Sequence, residues 1–386
     1  MEFHNVNRIL VIKLRHIGDV LMTVPVFRAL KQTFPSARTT ALVNAGTEEV
    51  LKGSAYVDEI LVFDRAIKRL PVLTRYKREA DFLAQVRKNR FDMAIDLTGG
   101  DRAALLSYLS GARYRTGWES KKGFLGKKRL YTHLSRPDGS KHIVLQNMDA
   151  VRPFGIYAED LSIDFYIPDA DRIHIRKILG PEDQKERKNG GIVHVHPTSR
   201  WLFKCWDDHS MAEIIRWLLD RGMRVAVTSS PVQNEIEKAR GILSIVGPHK
   251  GLVDLCGATT IKQLAALSEI ADLFFGVDSA PMHIAASVGT PVVALFGPSG
   301  AFNWGPWDNI ESRKLKGGLA GAPYPRRSGI QRFGVHTVIQ EDRECIPCGS
   351  DGCNGSKASK CLEEIKPATV KEILSERMEE WKGKSK

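Results

Sequence analysis

The sequence predicts an α/β chain built on two doubly wound parallel sheets, and three observations carry that expectation. A chain of 386 residues exceeds one compact core and suits two domains of ordinary size. Short β-branched and aliphatic runs alternate with helical patterns in both halves, as parallel strands joined by crossover helices require. A Gly-, Pro- and charge-rich stretch, GPEDQKERKNGG from Gly180, has no apolar period and reads as a connection. Domains are therefore expected at 1–180 and 181–386, with a closing helix from about Pro367 to Lys382.

In the first half, RILVIKLRHIGDVLMTVPVFRALKQTFP opens with an aliphatic strand, Ile9 to Leu14. It turns through Gly18 and Asp19, then enters an amphipathic helix expected to end before Pro35. Ala37–Asn44, Val57–Asp64 and Phe91–Gly99 are the next strand-like runs. In the second half GIVHVHP, MRVAVTSS, LFFGV and VVALFG read as strands. Helices are expected from about Asp207, Val232, Thr260 and Pro281.

Composition narrows the class. Hydrophobic residues at 42% and charged residues at 26% exclude wholesale disorder. No apolar run approaches the roughly 20 residues that span a bilayer, and a cytoplasmic protein is expected. The net charge of +12 implies an anionic partner, whether nucleic acid, membrane surface or phosphorylated substrate. The missing G-x-G-x-x-G after the first strand argues against a dinucleotide-dependent dehydrogenase. Nucleic acid is disfavoured because the basic runs lack interleaved aromatic stacking residues.

Three segments carry candidate chemistry. In FFGVDSAPMHIAASVG a strand ends at Val277, Asp278 or Ser279 is placed to cap a helix, and Pro281 sits in the first turn where its missing N–H costs nothing. Free N–H groups at such a helix start attract anions, and His283 lies one turn in. In VHVHPTSRWLFKCW, His196, Pro197, Thr198 and Ser199 fall at a strand end, where open α/β sheets collect ligands. The hydroxyls of Thr198 and Ser199 suit phosphate oxygens, and Lys204 adds a charge that suits a leaving diphosphate. In LRHIGDV, Gly18 allows close backbone approach, and Asp19 is equally a general base or a helix cap.

The segments RHIGDVLMTVPVFRALKQTFP and GVDSAPMHIAASVGTPVVALFGP together resemble the opening and donor-site motifs of glycosyltransferase family nine, the lipopolysaccharide heptosyltransferases. HPTSRWLFKCW and the closing CIPCGSDGCNGSKASKCL look most like the branch that adds a further, third heptose. The resemblance implies a GT-B architecture of two Rossmann-like domains facing a cleft, the acceptor held by the first and the nucleotide-sugar by the second. It implies an inverting, metal-independent transfer of heptose from ADP-heptose to a phosphorylated lipopolysaccharide-core glycolipid at the inner face of the inner membrane. Asp19 takes the place of the base, with Arg15 and Gly18 on the acceptor side. Lys204 faces the diphosphate, while Thr198, Ser199, Asp278, Ser279, Ala280 and His283 line the donor site. Asn234 and Glu235 are equally placed to hold the ribose. Ser279 and Ala280 stand where the family often has Thr-Gly.

Two features remain. Cys345, Cys348, Cys353 and Cys361 open with a zinc-like C-x2-C, but their second interval departs from a zinc knuckle, so reduced thiols packing a loop are the competing reading. Basic runs at 65–90 and 119–130 ordinarily mark solvated faces. With Leu70, Val72, Leu73, Phe124 and Leu125 interleaved, they also suit shallow contact with a membrane.

Overall fold

A computed structural model describes residues 3–119, 123–180, 191–315 and 322–384, with side chains to 380. Ten residues of the expected connection (181–190) and 120–122 of the second basic run lie outside the described residues. The chain divides into two compact units, Met1–Tyr166 with Ser312–Ala320, and Ile167–Glu311 with Gly321–Lys386. The division thus falls earlier than the composition break. The helix Asp169–Leu179 belongs to the second unit because Arg172 pairs with Glu269 and the Leu179 carbonyl accepts from Arg224.

In the first unit six parallel strands form one sheet: β1 (Arg8–Lys13), β2 (Arg38–Asn44), β3 (Glu59–Phe63), β4 (Met93–Asp96), β5 (Tyr114–Trp118) and β6 (His133–Ser135). Their order is β3-β2-β1-β4-β5-β6. The second unit holds β7 (Ile192–His196), β8 (Arg224–Ser229), β9 (Leu252–Cys256), β10 (Leu273–Val277), β11 (Val292–Phe296), β12 (Gln331–Phe333) and β13 (His336–Gln340). Its order is β12-β13-β11-β10-β7-β8-β9, with only the β12–β13 pair antiparallel. Leaving β12 aside, both sheets run 3-2-1-4-5-6 in order of appearance. Each is a doubly wound Rossmann-like sheet whose order reverses beside its first strand.

The uninterrupted apolar strands follow from burial on both faces. In β10 and β11, Phe275, Val277, Val293 and Leu295 enter one core, while Phe274, Val292, Ala294 and Phe296 enter another on the opposite face. The first unit buries Leu10, Ile12, Leu42, Leu61, Phe63 and Leu106 together.

The helix expected to run from Gly18 to Phe34 is two helices, Ile17–Leu21 and Val24–Thr33. Pro25 cannot donate to the Leu21 carbonyl, and the Thr23 hydroxyl bonds back to the Val20 carbonyl at 2.6 Å, so the chain turns between them. No helix among the described residues is long and apolar enough to cross a membrane.

Candidate active site

Both reversals of strand order carry the residues singled out in the sequence. In the first unit β1 ends at Lys13, and Leu14 to His16 lead into the short helix that bears Asp19. Asp19 is half-buried, and its carboxylate accepts from the His16 N–H at 3.4 Å. The N-cap is thus His16 rather than Asp19, which sits three residues into the turn and reaches back to the cap as one half of a capping box. Gly18 is buried and Arg15 exposed, with its guanidinium on the Thr98 carbonyl at 3.2 Å.

Below this loop lies a polar floor that the sequence did not disclose. The Lys13 amine is buried and donates to the Leu97 carbonyl and to Asn147 Oδ1, each at 3.0 Å. Asn147 in turn donates to the Met22 carbonyl at the end of the Asp19 helix. Burial lowers Lys13 to about 8, against the pull of Asp19 and Asp96. Asp96 at the end of β4 accepts from Tyr131 Oη at 2.6 Å and from the Thr98 and Gly99 N–H groups. Its own carboxyl is raised because burial outweighs these bonds.

In the second unit the reversal lies between β7 and β10. A Cβ on Gly276 would lie 2.5 Å from the His196 carbonyl oxygen, so glycine is what lets these strands close together here. Beyond their ends, Lys204 Nζ donates to Asp278 Oδ2 at 2.6 Å. Burial alone would raise the Asp278 carboxyl, but the charge and hydrogen bond of Lys204, then a Ser299 hydrogen bond and His283, hold it below the ordinary carboxylate value. The lysine is set there by a 3-10 turn, Leu202–Lys204, closed by Lys204 N–H on the Trp201 carbonyl.

Thr198 is fully buried and donates to Glu235 Oε2 at 3.0 Å, whereas Asn234 is exposed. Of the two candidates Glu235 is the one joined to the Thr198 loop. Behind Thr198 runs a buried chain. His196 Nε2 lies 3.5 Å from Thr198 Oγ1, and His196 Nδ1 lies 2.8 Å from Thr228 Oγ1. His194 Nε2 meets the same Thr228 oxygen at 2.7 Å, and its Nδ1 meets Ser268 Oγ at 2.9 Å. Burial keeps both imidazoles neutral, His196 lowered to about 3 and His194 well below its usual value. The strand period was the missed signal: His194 and His196 are two apart and share a face.

Ser279 occupies the N-cap of the helix Ala280–Ser287, but its hydroxyl donates to the Val277 carbonyl at 3.2 Å and caps nothing. The N-cap side chain thus makes no bond to the first-turn N–H groups, and Pro281 in that turn carries none. Ala280 is the first helical residue and is not among the positive-φ positions, so the departure from glycine there leaves no strain. His283 is buried in the next turn beside the Trp304 ring. Ser199 is buried and accepts from the Trp201 N–H.

The four clustered cysteines are free thiols, Cys345 and Cys348 exposed and Cys361 buried. Burial pushes Cys361 up to about 11, helped by Cys353, Cys348 and Cys345. They are neighbours, yet among the described residues no group of three or more His, Cys, Asp or Glu is arranged to hold a metal ion. Of the two competing readings, a zinc ligand set is not assembled among the described residues. An Asp-x-Asp pair, Asp169 and Asp171, lies on the first turn of a helix, with Asp169 bound to Arg172 3.1 Å away.

The profile of glycosyltransferase family 9 (heptosyltransferase) matches residues 80–315. Lipopolysaccharide heptosyltransferase 3 of Escherichia coli K12 is 32% identical over 316 residues, covering 77% of this chain and 85% of that protein. The chain belongs to glycosyltransferase family 9. Among solved structures, E. coli ADP-heptose lps heptosyltransferase II matches with a TM-score of 0.73 at 19% identity, over 97% of this chain and 99% of that one. E. coli heptosyltransferase WaaC with ADP-2-deoxy-2-fluoro heptose matches with a TM-score of 0.66 at 18% identity, over 96% and 99%. The GT-B fold expected of a family 9 enzyme is thus the fold observed, two Rossmann-like domains with a closing helix, Pro367–Lys384.

Proposed function

We propose that this family 9 enzyme transfers a heptose from ADP-heptose to the inner core of lipopolysaccharide, with inversion, as a peripheral protein at the cytoplasmic face of the inner membrane. The carrying observation is the second unit's donor constellation, Thr198 with Glu235 and Lys204 with Asp278, at the ends of β7 and β10 beside a helix start whose N-cap side chain makes no capping bond. A nucleoside diphosphate needs these features: a carboxylate for ribose hydroxyls, and a cation with free N–H groups for phosphate oxygens. The name of the relative 32% identical to this chain, and the ADP-heptose analogue in a structural neighbour, support the heptose donor.

In this reading Asp19 takes the proton of an acceptor hydroxyl as its oxygen bonds to the anomeric carbon. The bond from that carbon to the diphosphate breaks, and its electron pair leaves with ADP. Lys204 moves its charge from Asp278 toward the departing phosphate, and Asp278 becomes free to accept from a sugar hydroxyl. Arg15, exposed beside Asp19, meets acceptor phosphate. The lysine and the helix start supply the countercharge, so no divalent cation is needed for the step.

The test is incubation with ADP-heptose and truncated core glycolipids, read by mass spectrometry for addition of one heptose. Tight binding of UDP in place of ADP, or no heptose added to any core acceptor, overturns the reading.

A further inference from the structure

The first unit carries an apolar, basic face that no core covers. The helix Val72–Lys88 is held to the body from its middle onward, where Glu79 meets Arg102 at 3.5 Å, Val86 is buried and Phe82 and Leu83 pack on the core. Its first two turns project. Val72 is 65% exposed, Leu73 86% and Tyr76 63%. At about 100° per residue these three span an arc of roughly 100°, with Val72 and Tyr76 on the stripe that reaches the core at Leu83. Arg75 flanks the arc on one side and Lys77 on the other.

The charge over this face has one sign. From Arg65 to Arg78 the chain has six basic residues and no acidic one. Arg65 is tied to the Leu14 carbonyl and Arg75 approaches Glu79 at 3.5 Å. Among the described residues no acidic side chain pairs with Lys68, Arg69, Lys77 or Arg78. A solvated helix face needs neither the exposed Leu73 nor this charge excess, and a protein core would not accept the lysines. An apolar arc bordered by cations on long stems matches a bilayer interface, where the arc sinks among acyl chains and the cations reach back to anionic headgroups.

We propose that the segment Lys68–Arg78 is the docking element by which this enzyme seats on an anionic phospholipid surface, Val72, Leu73 and Tyr76 entering the interface and Lys68, Arg69, Lys77 and Arg78 binding headgroup phosphates. The purpose of such docking rests on the acceptor being a membrane-anchored glycolipid; the docking itself does not.

Flotation of the full chain with vesicles tests it, using phosphatidylcholine alone and phosphatidylcholine with about 30% phosphatidylglycerol. Partition is expected to be at least tenfold stronger on the anionic vesicles and to fall steeply with salt. Leu73→Glu with Tyr76→Glu is expected to weaken it by tenfold or more, and Lys77→Gln with Arg78→Gln by a similar factor, all with unchanged melting temperature. Equal binding to neutral vesicles, or wild-type binding by the Leu73→Glu, Tyr76→Glu protein, overturns the proposal. So does a wild-type dimer in light scattering that this double variant converts to monomer, because the face then belongs to a second copy. Turnover on a deacylated, water-soluble core acceptor is expected to be the same in all variants. If wild type adds no heptose to that acceptor or to the intact glycolipid, the proposed reaction fails while the vesicle result still stands.

Discussion

Replacing Lys204 by methionine separates two roles, because the same ammonium supports the fold through Asp278 and, in the proposed mechanism, the reaction through the diphosphate. The carboxylate of Asp278 keeps 8% of its side-chain surface exposed and Lys204 keeps 22%. Removing one partner of a fully buried pair costs about 3–5 kcal/mol; partial solvent access and the Ser299 hydrogen bond reduce this to about 2 kcal/mol here. For a unit of this size that lowers the melting temperature by roughly 4–8 °C at pH 7. The sign with pH is fixed. Asp278 has a depressed carboxyl in the wild type, so its contribution is present above the unfolded value of 3.8 and is lost as pH falls through the folded one. In Lys204→Met the unpaired carboxylate is instead relieved by protonation, so the gap between the two proteins narrows as pH falls from 7 toward 4. Adding Asp278→Leu should restore the melting temperature and leave activity lost. The catalytic rate should fall by roughly two to three orders of magnitude, with weaker ADP binding, measured by coupled ADP release and calorimetry. Wild-type turnover in Lys204→Met, or a melting gap that widens in acid, refutes the reasoning.

Asp19→Ala should abolish transfer while ADP-heptose affinity stays within a few-fold, by calorimetry; weak donor binding would instead make Asp19 a structural cap. Chelation by EDTA should leave initial rates unchanged, and magnesium-dependent recovery after complete stripping would contradict a step run by Lys204 and the helix start. In acid, His194 and His196 are neutral in the fold and take up protons on unfolding. Stability should therefore be full above about pH 6.5 and fall by roughly 1.4 kcal/mol per pH unit per histidine below it. Urea midpoints flat from pH 6.5 to 5 would remove that linkage.

Strands with long, uninterrupted aliphatic runs were legible in the sequence, as β10 shows: LFFGV maps onto Leu273–Val277 without a shift. β5, β6, β9, β12 and β13 were not: Tyr114–Trp118 mixes Arg and Gly with aromatics, His133–Ser135 and Gln331–Phe333 are only three residues each, Leu252–Cys256 is broken by Asp254, and His336–Gln340 has polar residues at both ends. Such strands are specified by their neighbours in the sheet rather than by their own pattern. At the site, single-letter chemistry pointed to Asp19, Lys204 and Asp278, and the family resemblance alone pointed to Glu235 beside Asn234. It could not show that Lys204 rests on Asp278 74 residues away, nor that Lys13 and Asn147 brace the helix of Asp19 from residues 134 apart. Pairings across the sheet depend on strand order, which local periodicity does not encode.

The row of hydroxyls and imidazoles behind Thr198 has a direction. Thr198 has one hydroxyl proton and gives it to Glu235, so toward His196 it can only accept, and His196 must carry its proton on Nε2. Nδ1 of His196 then accepts from Thr228, which is left to accept from a proton on Nε2 of His194. His194 Nδ1 in turn takes the proton of Ser268. One carboxylate at the mouth of the row thus polarises every member back to a serine 33 residues further along the chain, and both imidazoles are held in the same tautomer. Glu235→Gln keeps the shape of that end but offers an amide that can point either way. The row would then lose its single orientation before it lost a contact, and the imidazole nitrogen resonances of His194 and His196 would register the mixture.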